Sequence, residues 1–295
     1  MSPVELRSAI EAAISDATGS RFRIERMLPA PGGCIHRSFV VEGGDERFFV
    51  KTNDAGFADA FAAEADGLAA LIAAGAPAPR PICHGGDERH AWLAMQFLPL
   101  GGAGDFAVLG RVLAALHSTH GERHGWHRDN HIGATPQRNA YSESWSGFWR
   151  NQRLLPQLEL ARKNGLGKRL AEKGGKLVAA LPQLLAGHEP APSLLHGDLW
   201  SGNAGFLAGG APVLFDPAVY YGDREADLAM TELFGGFPRA FYGAYRDIAP
   251  LDAGYAARKA LYNLYHVLNH ANLFGGGYVA QAETMIERLL AEIKS

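Results

Sequence analysis

Hydrophobic and polar positions follow two regimes along the chain. In "SPVELRSAIEAAIS", Val4, Ile10 and Ile14 fall on an approximate helical stripe behind the start signals Ser2, Pro3 and Glu5, which predicts a short leading helix. The runs "RFRIERMLPA", "RSFVVEG" and "RFFVKT" are then β-branched or aromatic, separated by "PGGC" and "GGDE", and predict a three-stranded antiparallel meander. The Ala-rich "DAFAAEADGLAALIAAGA" reads as a helix closing on Gly75, because "PAPRP" forces the chain out of the helical region. "PICHGG" and "AWLAMQFLP" suggest a second hairpin, ending at a Gly-rich joint, "LGGAGD", over 100–105.

Beyond that joint the alternation fades. Asp105 is placed to cap a helix whose apolar face carries Phe106, Leu109, Val112, Leu113 and Leu116. Segments 143–163, 167–186, 223–234, 253–274 and 278–293 also have helical spacing, and "PVLFDP" is the one β-like island. The pattern predicts an α+β chain with a small antiparallel-sheet lobe over 1–98 and a larger, mainly helical lobe over 99–295.

Composition adds limits. With 47% hydrophobic and 20% charged residues over 295 positions, the chain reads as ordinary globular protein. A formal charge of -3 and the lack of a basic run argue against a nucleic-acid or anionic-membrane partner. Cys34 and Cys83 make neither a disulfide framework nor a zinc cage. The N-terminal stretch lacks the order of a secretory signal, and no apolar run approaches the ~20 residues that span a bilayer, so a cytoplasmic setting is expected.

The densest chemistry lies in "LLHGDLWSGN". His196 precedes Asp198 by two residues, Asn203 follows five after Asp198, and Asp216 in "LFDP" lies thirteen beyond Asn203. Phosphoryl transfer needs a carboxylate to take or orient a hydroxyl proton and hard oxygen ligands for magnesium, and these residues supply both. The alternative is plain loop chemistry: a tight His-Gly-Asp turn, an Asx cap at Asn203 and a helix cap at Asp216. A second constellation bears on the choice. Lys51 ends the strand "RFFVK" and Glu64 lies thirteen residues on in the Ala-rich helix, the strand-to-helix ion pair that holds phosphates in kinases, unless it is an ordinary surface pair.

Together "GGCIH", "FFVK", "AEADGL", "PSLLHGDLWSGN", "FDPAVYYGDREADLAM" and "LFGG" resemble the fructosamine (ketosamine) kinase family, in the aminoglycoside-phosphotransferase-like branch of the protein-kinase fold. The resemblance runs over most of the chain and implies a two-lobed enzyme using ATP and Mg2+. It makes Asp198 the catalytic-loop base, Asn203 and Asp216 the magnesium ligands, and Lys51 with Glu64 the phosphate-positioning pair. Gly32 and Gly33 would cover the phosphates, and Met95, Gln96, Phe97 and Leu98 would meet the adenine at the hinge. His196 would orient the loop. The implied acceptor is a ketosamine, as a small molecule or as glycated lysine on protein, with phosphorylation of a sugar hydroxyl serving deglycation.

The acceptor side is the least defined. "GWHRDNHIGATPQ" resembles the family segment beside the acceptor, which makes Trp126, Asn130 and Thr135 candidates unless the segment is a packed surface loop; Trp149, Trp200, Tyr220 and Tyr221 either line the acceptor pocket or pack in a core. Asp216-Pro217-Ala218 replaces the protein-kinase Asp-Phe-Gly, and almost nothing separates it from "GDREADLAM", which disfavours a phosphorylation-driven loop switch. An aminoglycoside or other small-alcohol kinase, or a silent nucleotide-binding module, would share many of these residues. Gly102, Gly104 and Ala107 satisfy a loose dinucleotide pattern with Glu122 beyond it, but "HSTHGERHGW" is too polar for the buried parallel strand required next. His117, His120, His124, His127 and His131 crowd one segment and read as solvated or substrate-facing residues more readily than as zinc ligands. Cys34, in the Gly turn, is read as structural rather than redox-active.

Overall fold

The computed structural model describes residues 3–30 and 35–292. The chain divides into two compact units, one formed by residues up to Asp105 together with Ala204–Pro217, the other by Phe106–Asn203 together with the chain from Ala218 onward. The sequence pattern had suggested a single boundary at 98/99; the units instead exchange the chain three times.

In the first unit, α1 (Pro3–Thr18) precedes an antiparallel sheet of β1 (Arg26–Pro29), β2 (Arg37–Gly43), β3 (Glu46–Asp54), β4 (Pro81–Gly86) and β5 (His90–Gln96), in the order β1-β2-β3-β5-β4. The expected meander is present, although of "RFRIERMLPA" only Arg26–Pro29 is strand. The β2–β3 hairpin turns at Gly44, whose φ of 58° lies where residues with a Cβ are strained.

Strand alternation then assigns the faces. Phe48 and Val50 of β3 join Ile10, Ile14, Phe22, Ile24 and Val41 in a core under α1. The opposite face meets α2 (Ala58–Ala73), where Phe61, Ala65 and Leu68 pack with Leu93 and Met95. Lys51 is one residue out of phase with Val50 and Glu64 lies on the Phe61–Leu68 stripe, so both belong to the interface of sheet and α2. A small hairpin, Ala204–Phe206 with Pro212–Leu214, completes the unit and donates the Leu214 N–H to the Pro77 carbonyl at 2.8 Å. Its approach to 100–104 is very close: a Cβ on Gly102 would lie 1.9 Å from the Leu207 carbonyl oxygen, and one on Gly104 1.9 Å from the Phe206 ring. These two glycines, the loose dinucleotide pattern, are therefore explained by packing.

The second unit is mainly helical. Its helices are α3 (Phe106–His117), α4 (Trp145–Phe148), α5 (Leu155–Lys163), α6 (Lys168–Leu184), α7 (Glu225–Leu233), α8 (Arg239–Ile248), α9 (Tyr255–Phe274) and α10 (Gly277–Glu292). A π-helical turn, Trp149–Leu154, joins α4 to α5. α9 buries a run from Leu261 to Asn269 and forms the central post of the unit. α8 lies outside the segments given helical spacing from the sequence; Phe241, Ala244 and Tyr245 bury one face against α3. Two short antiparallel pairs were also missed, Asn130–Ile132 with Thr135–Gln137 and Ser193–Leu195 with Tyr220–Gly222.

Of the five clustered histidines, His120 and His127 are exposed, but His117 and His124 are buried, contrary to the expectation of solvated side chains. His117 finds a carboxylate and a phenol inside the unit, and His124 packs on Trp145 with ring centroids 5.3 Å apart. The expected glycine turn (Gly32, Gly33) and Cys34 lie outside the described residues, as does Ser2. No helix among the described residues is long and apolar enough to cross a membrane.

Candidate active site

The chemistry-bearing residues separate into two constellations, one in each unit. In the first unit, the Lys51 ammonium reaches Glu64 Oε1 at 2.6 Å and Asp216 Oδ1 at 2.5 Å. The lysine and Glu64 are buried, whereas the Asp216 side chain is 41% exposed. Burial alone would pull the lysine toward neutrality, but the two carboxylates more than offset it and hold its pKa above the ordinary value. Burial, with the neighbouring Asp216 charge, pushes the Glu64 carboxyl up against the pull of Lys51. Lys51 is therefore a fixed cation with two acceptors.

Asp216 has φ of 57°, the only positive value of any non-glycine among the described residues. Aspartate tolerates this region better than most, but it remains a strained conformation held by its surroundings. Met95 and Gln96 end β5, beside β3; Met95 is buried and pairs with Phe49, and the Gln96 N–H donates to the Arg80 carbonyl. Phe97 lies under the Arg47 guanidinium at 5.8 Å, and the Leu98 carbonyl accepts from the Leu100 N–H.

In the second unit, Asp198 and Asn203 belong to the loop that leaves the strand Ser193–Leu195. The Asn203 amide nitrogen donates to the Asp198 carbonyl at 2.8 Å and to Asp198 Oδ2 at 3.1 Å, which closes the loop on itself. The first turn depends on Gly197, with φ of 83°; a Cβ there would lie 2.0 Å from the Ala218 carbonyl oxygen. Leu199 is buried, so Asp198 is flanked by anchored residues.

The anchor beneath this loop is a residue to which the sequence reading gave no role. Asp227, in α7, accepts the His196 N–H at Oδ2 (2.7 Å) and the Gly197 N–H at Oδ1 (2.8 Å). His117 Nε2 lies 3.1 Å from the same carboxylate, and His117 Nδ1 is 2.8 Å from the Tyr245 hydroxyl. Although burial opposes ionisation, His117, His196 and the Gly197 N–H hold the Asp227 carboxyl below its usual range. His196 is wholly buried, and its Nδ1 lies 3.3 Å from the Asp198 N–H, an orienting contact within the loop. The signal for Asp227 was an Asp set inside the apolar run "EADLAM", where a charge needs a buried partner.

The acceptor candidates divide by burial. Trp200 is 36% exposed, two residues from Asp198. Trp126 packs on Tyr221 (5.3 Å), Asn130 donates to the Val219 carbonyl and accepts from Gln137, and Thr135 is buried with no partner for its hydroxyl. Tyr220 is buried beneath Arg153, whose guanidinium lies 4.0 Å from its ring centroid, and Trp149 is buried against Tyr262. Asn130, Tyr220 and Trp149 thus stand in interior packing.

Each unit holds a hard oxygen donor of the kind a divalent cation takes. Asn203 commits its amide nitrogen to Asp198, which leaves its carbonyl oxygen, and Asp216 has a carboxylate oxygen beyond the one on Lys51. His188, Asp223 and Glu225 form another close group, but Arg258 holds Glu225 through two bonds of 2.6 and 2.8 Å and the Tyr262 hydroxyl donates to Asp223. That group is charge-compensated by the protein itself.

Residues 6–292 match the family described as fructosamine kinase. The chain belongs to the fructosamine kinase family. A Synechocystis sp. relative named as a probable ketoamine kinase is 47% identical over 285 residues, covering 95% of this chain and 96% of its own. The chloroplastic protein-ribulosamine 3-kinase of Arabidopsis thaliana is 38% identical, covering 94% and 86%. A solved Haemophilus somnus structure assigned as a fructosamine-3-kinase superposes with TM-score 0.88 at 29% identity over 95% of this chain and 96% of that one. An aminoglycoside phosphotransferase, at 15% identity and TM-score 0.62 over 96% and 98%, shares the fold. The fold is thus the α+β one that the sequence pattern predicted and the protein-kinase-like one that the family resemblance implied.

Proposed function

We propose that this fructosamine kinase family member transfers the γ-phosphate of ATP to a sugar hydroxyl of a ketosamine, carried on a small amine or on a lysine of a protein. The hydroxyl oxygen attacks the γ-phosphorus, the bond to the β-phosphate oxygen breaks to release ADP, and the hydroxyl proton passes to Asp198. Lys51, held by Glu64, bears on the nucleotide phosphates, and Met95–Leu98 offer backbone groups to the adenine. Asn203 and Asp216 would hold magnesium, which neutralises phosphate charge when bound. The protein supplies position and fixed charge rather than covalent chemistry. Breakdown of the phosphorylated ketosamine would return the free amine, a repair of glycation in a cytoplasmic setting.

The buried Lys51 ammonium between Glu64 and Asp216 carries this reading. The cation suits nucleotide phosphates, and a purely structural ion pair would not require Asp216 to keep 41% of its side chain exposed. ATP consumption with magnesium against ribuloselysine, fructoselysine and a representative aminoglycoside, with Asp198→Ala as the blank, tests it. Turnover of a ketosamine that disappears in Asp198→Ala is expected. Turnover of the aminoglycoside alone would move the protein to another class of alcohol acceptor.

A further inference from the structure

The chain carries Leu-Phe-Gly-Gly twice, at 233–236 and 273–276. Each copy ends a helix. Phe234 follows α7 and Phe274 closes α9, and Gly235, Gly236, Gly275 and Gly276 all have positive φ, which stops both helices at once. The two phenylalanines converge on one side chain: His270 has its ring centroid 4.8 Å from Phe234, 5.6 Å from Phe274 and 5.1 Å from Tyr278 of α10. Trp200 stands edge-on to Phe234 at 6.1 Å, so an aromatic path runs from the Asp198 loop to this corner. Phe274 is 61% exposed.

Two physical facts select the occupant. Helix C-termini carry partial negative charge, and neither α7 nor α9 has a basic side chain in its last turn to balance it. Aromatic faces also attract cations. The corner thus combines two helix C-termini with no basic side chain of their own in the last turn and a cluster of aromatic rings, which favours a cation bearing apolar substituents over a neutral or anionic group. A ketosamine has such a part, because its nitrogen is a secondary amine, protonated near neutral pH and carrying an alkyl chain.

We propose that Phe234, His270, Phe274 and Tyr278 form the subsite for the protonated nitrogen and N-substituent of the acceptor, and so select cationic, apolar amine adducts. This rests on the ketosamine reading above and specifies its amine half. The sugar is presented to Asp198, while the amine and its chain extend past Trp200 into the corner.

Steady-state kinetics on fructosamines bearing N-methyl, N-hexyl and N-phenethyl groups, with the uncharged N-acetyl derivative of the hexyl compound, tests it in the parent, Phe274→Ala, Tyr278→Ala and Phe274→Tyr. The parent is expected to prefer the hexyl and phenethyl amines over the methyl one, and the charged hexyl amine over its N-acetyl form, each by roughly tenfold in kcat/KM. Phe274→Ala and Tyr278→Ala should remove most of both preferences through KM, and Phe274→Tyr should keep them. If the alanine variants ranked these acceptors as the parent does, the subsite would be wrong while the ketosamine reading stood. No turnover of any fructosamine by the parent would sink both.

Discussion

The two constellations are held by opposite means. In the first unit the proposed functional groups hold one another: Lys51 is bound by both Glu64 and Asp216. In the second unit the loop of Asp198 is held mainly from beneath, since Asp227 grips the backbone of His196 and Gly197 and is itself gripped by His117, while Asn203 closes the loop on Asp198. Charge that must meet phosphates can be fixed by neighbouring charge, because a lysine between two carboxylates keeps its proton. In the role of base proposed above for Asp198, support that acts mainly through the loop backbone limits competition for the carboxylate.

The sharpest way to break this comparison is at Asp198. Asp198→Ala should lower turnover by about 10³-fold while leaving ATP binding, measured by calorimetry, near that of the parent. Next in size, Lys51→Met should raise the KM for ATP, lower kcat, and destabilise the fold by about 3 kcal/mol in a urea melt, because it strands a buried carboxylate. Adding Glu64→Gln to it should restore stability without restoring activity, which separates support from chemistry. An equal loss of stability in the single and double variants would show that Glu64 is not the stranded group.

Asp227→Asn tests the other mode. It leaves the loop without its carboxylate grip and should cost about 2 kcal/mol in stability, with kcat falling and the KM for ATP little changed. A KM effect as large as that of Lys51→Met would erase the distinction between the regions.

The smallest expected effect is in the pH dependence of the second unit. Burial pulls the pKa of His266 down to about 3, so it is neutral when folded and gains its proton only on unfolding near 6.5. Its contribution is therefore complete above 6.5 and is lost as the pH falls from there toward 3. Between pH 7 and pH 5 this amounts to about 2 kcal/mol, a slope that His266→Gln should flatten in melts at the two values.

Much of this was legible in the sequence. The sheet, α2 and the Lys51–Glu64 spacing follow from periods of two and of about 3.6, and the helices of the second unit other than α8 were located within a few residues. What escaped depends on distant partners. The three-residue strand Ser193–Leu195 has no period of its own and exists because Tyr220–Gly222 pairs with it. Asp227 stood within a quoted motif, but its role requires two N–H groups 30 and 31 residues upstream. His117 and His124 look solvated beside Arg, Glu and Gly; a carboxylate and an indole, brought in from elsewhere in the chain, draw them inside. The roles of Asp198, Asn203 and Asp216 in catalysis remain the reading proposed above.

The threefold exchange of chain between the units also bears on how the protein is made. When the first 105 residues have left the ribosome, their unit still lacks the hairpin Ala204–Phe206/Pro212–Leu214 and Asp216, which arrive only after all of 106–203 has been synthesised. Until then the Lys51 ammonium has Glu64 without its second carboxylate, and the glycines of 100–104 await the strand that fills their space. The nascent N-terminal unit is thus an unfinished body, and a gene truncated at the apparent joint would encode that intermediate rather than a domain.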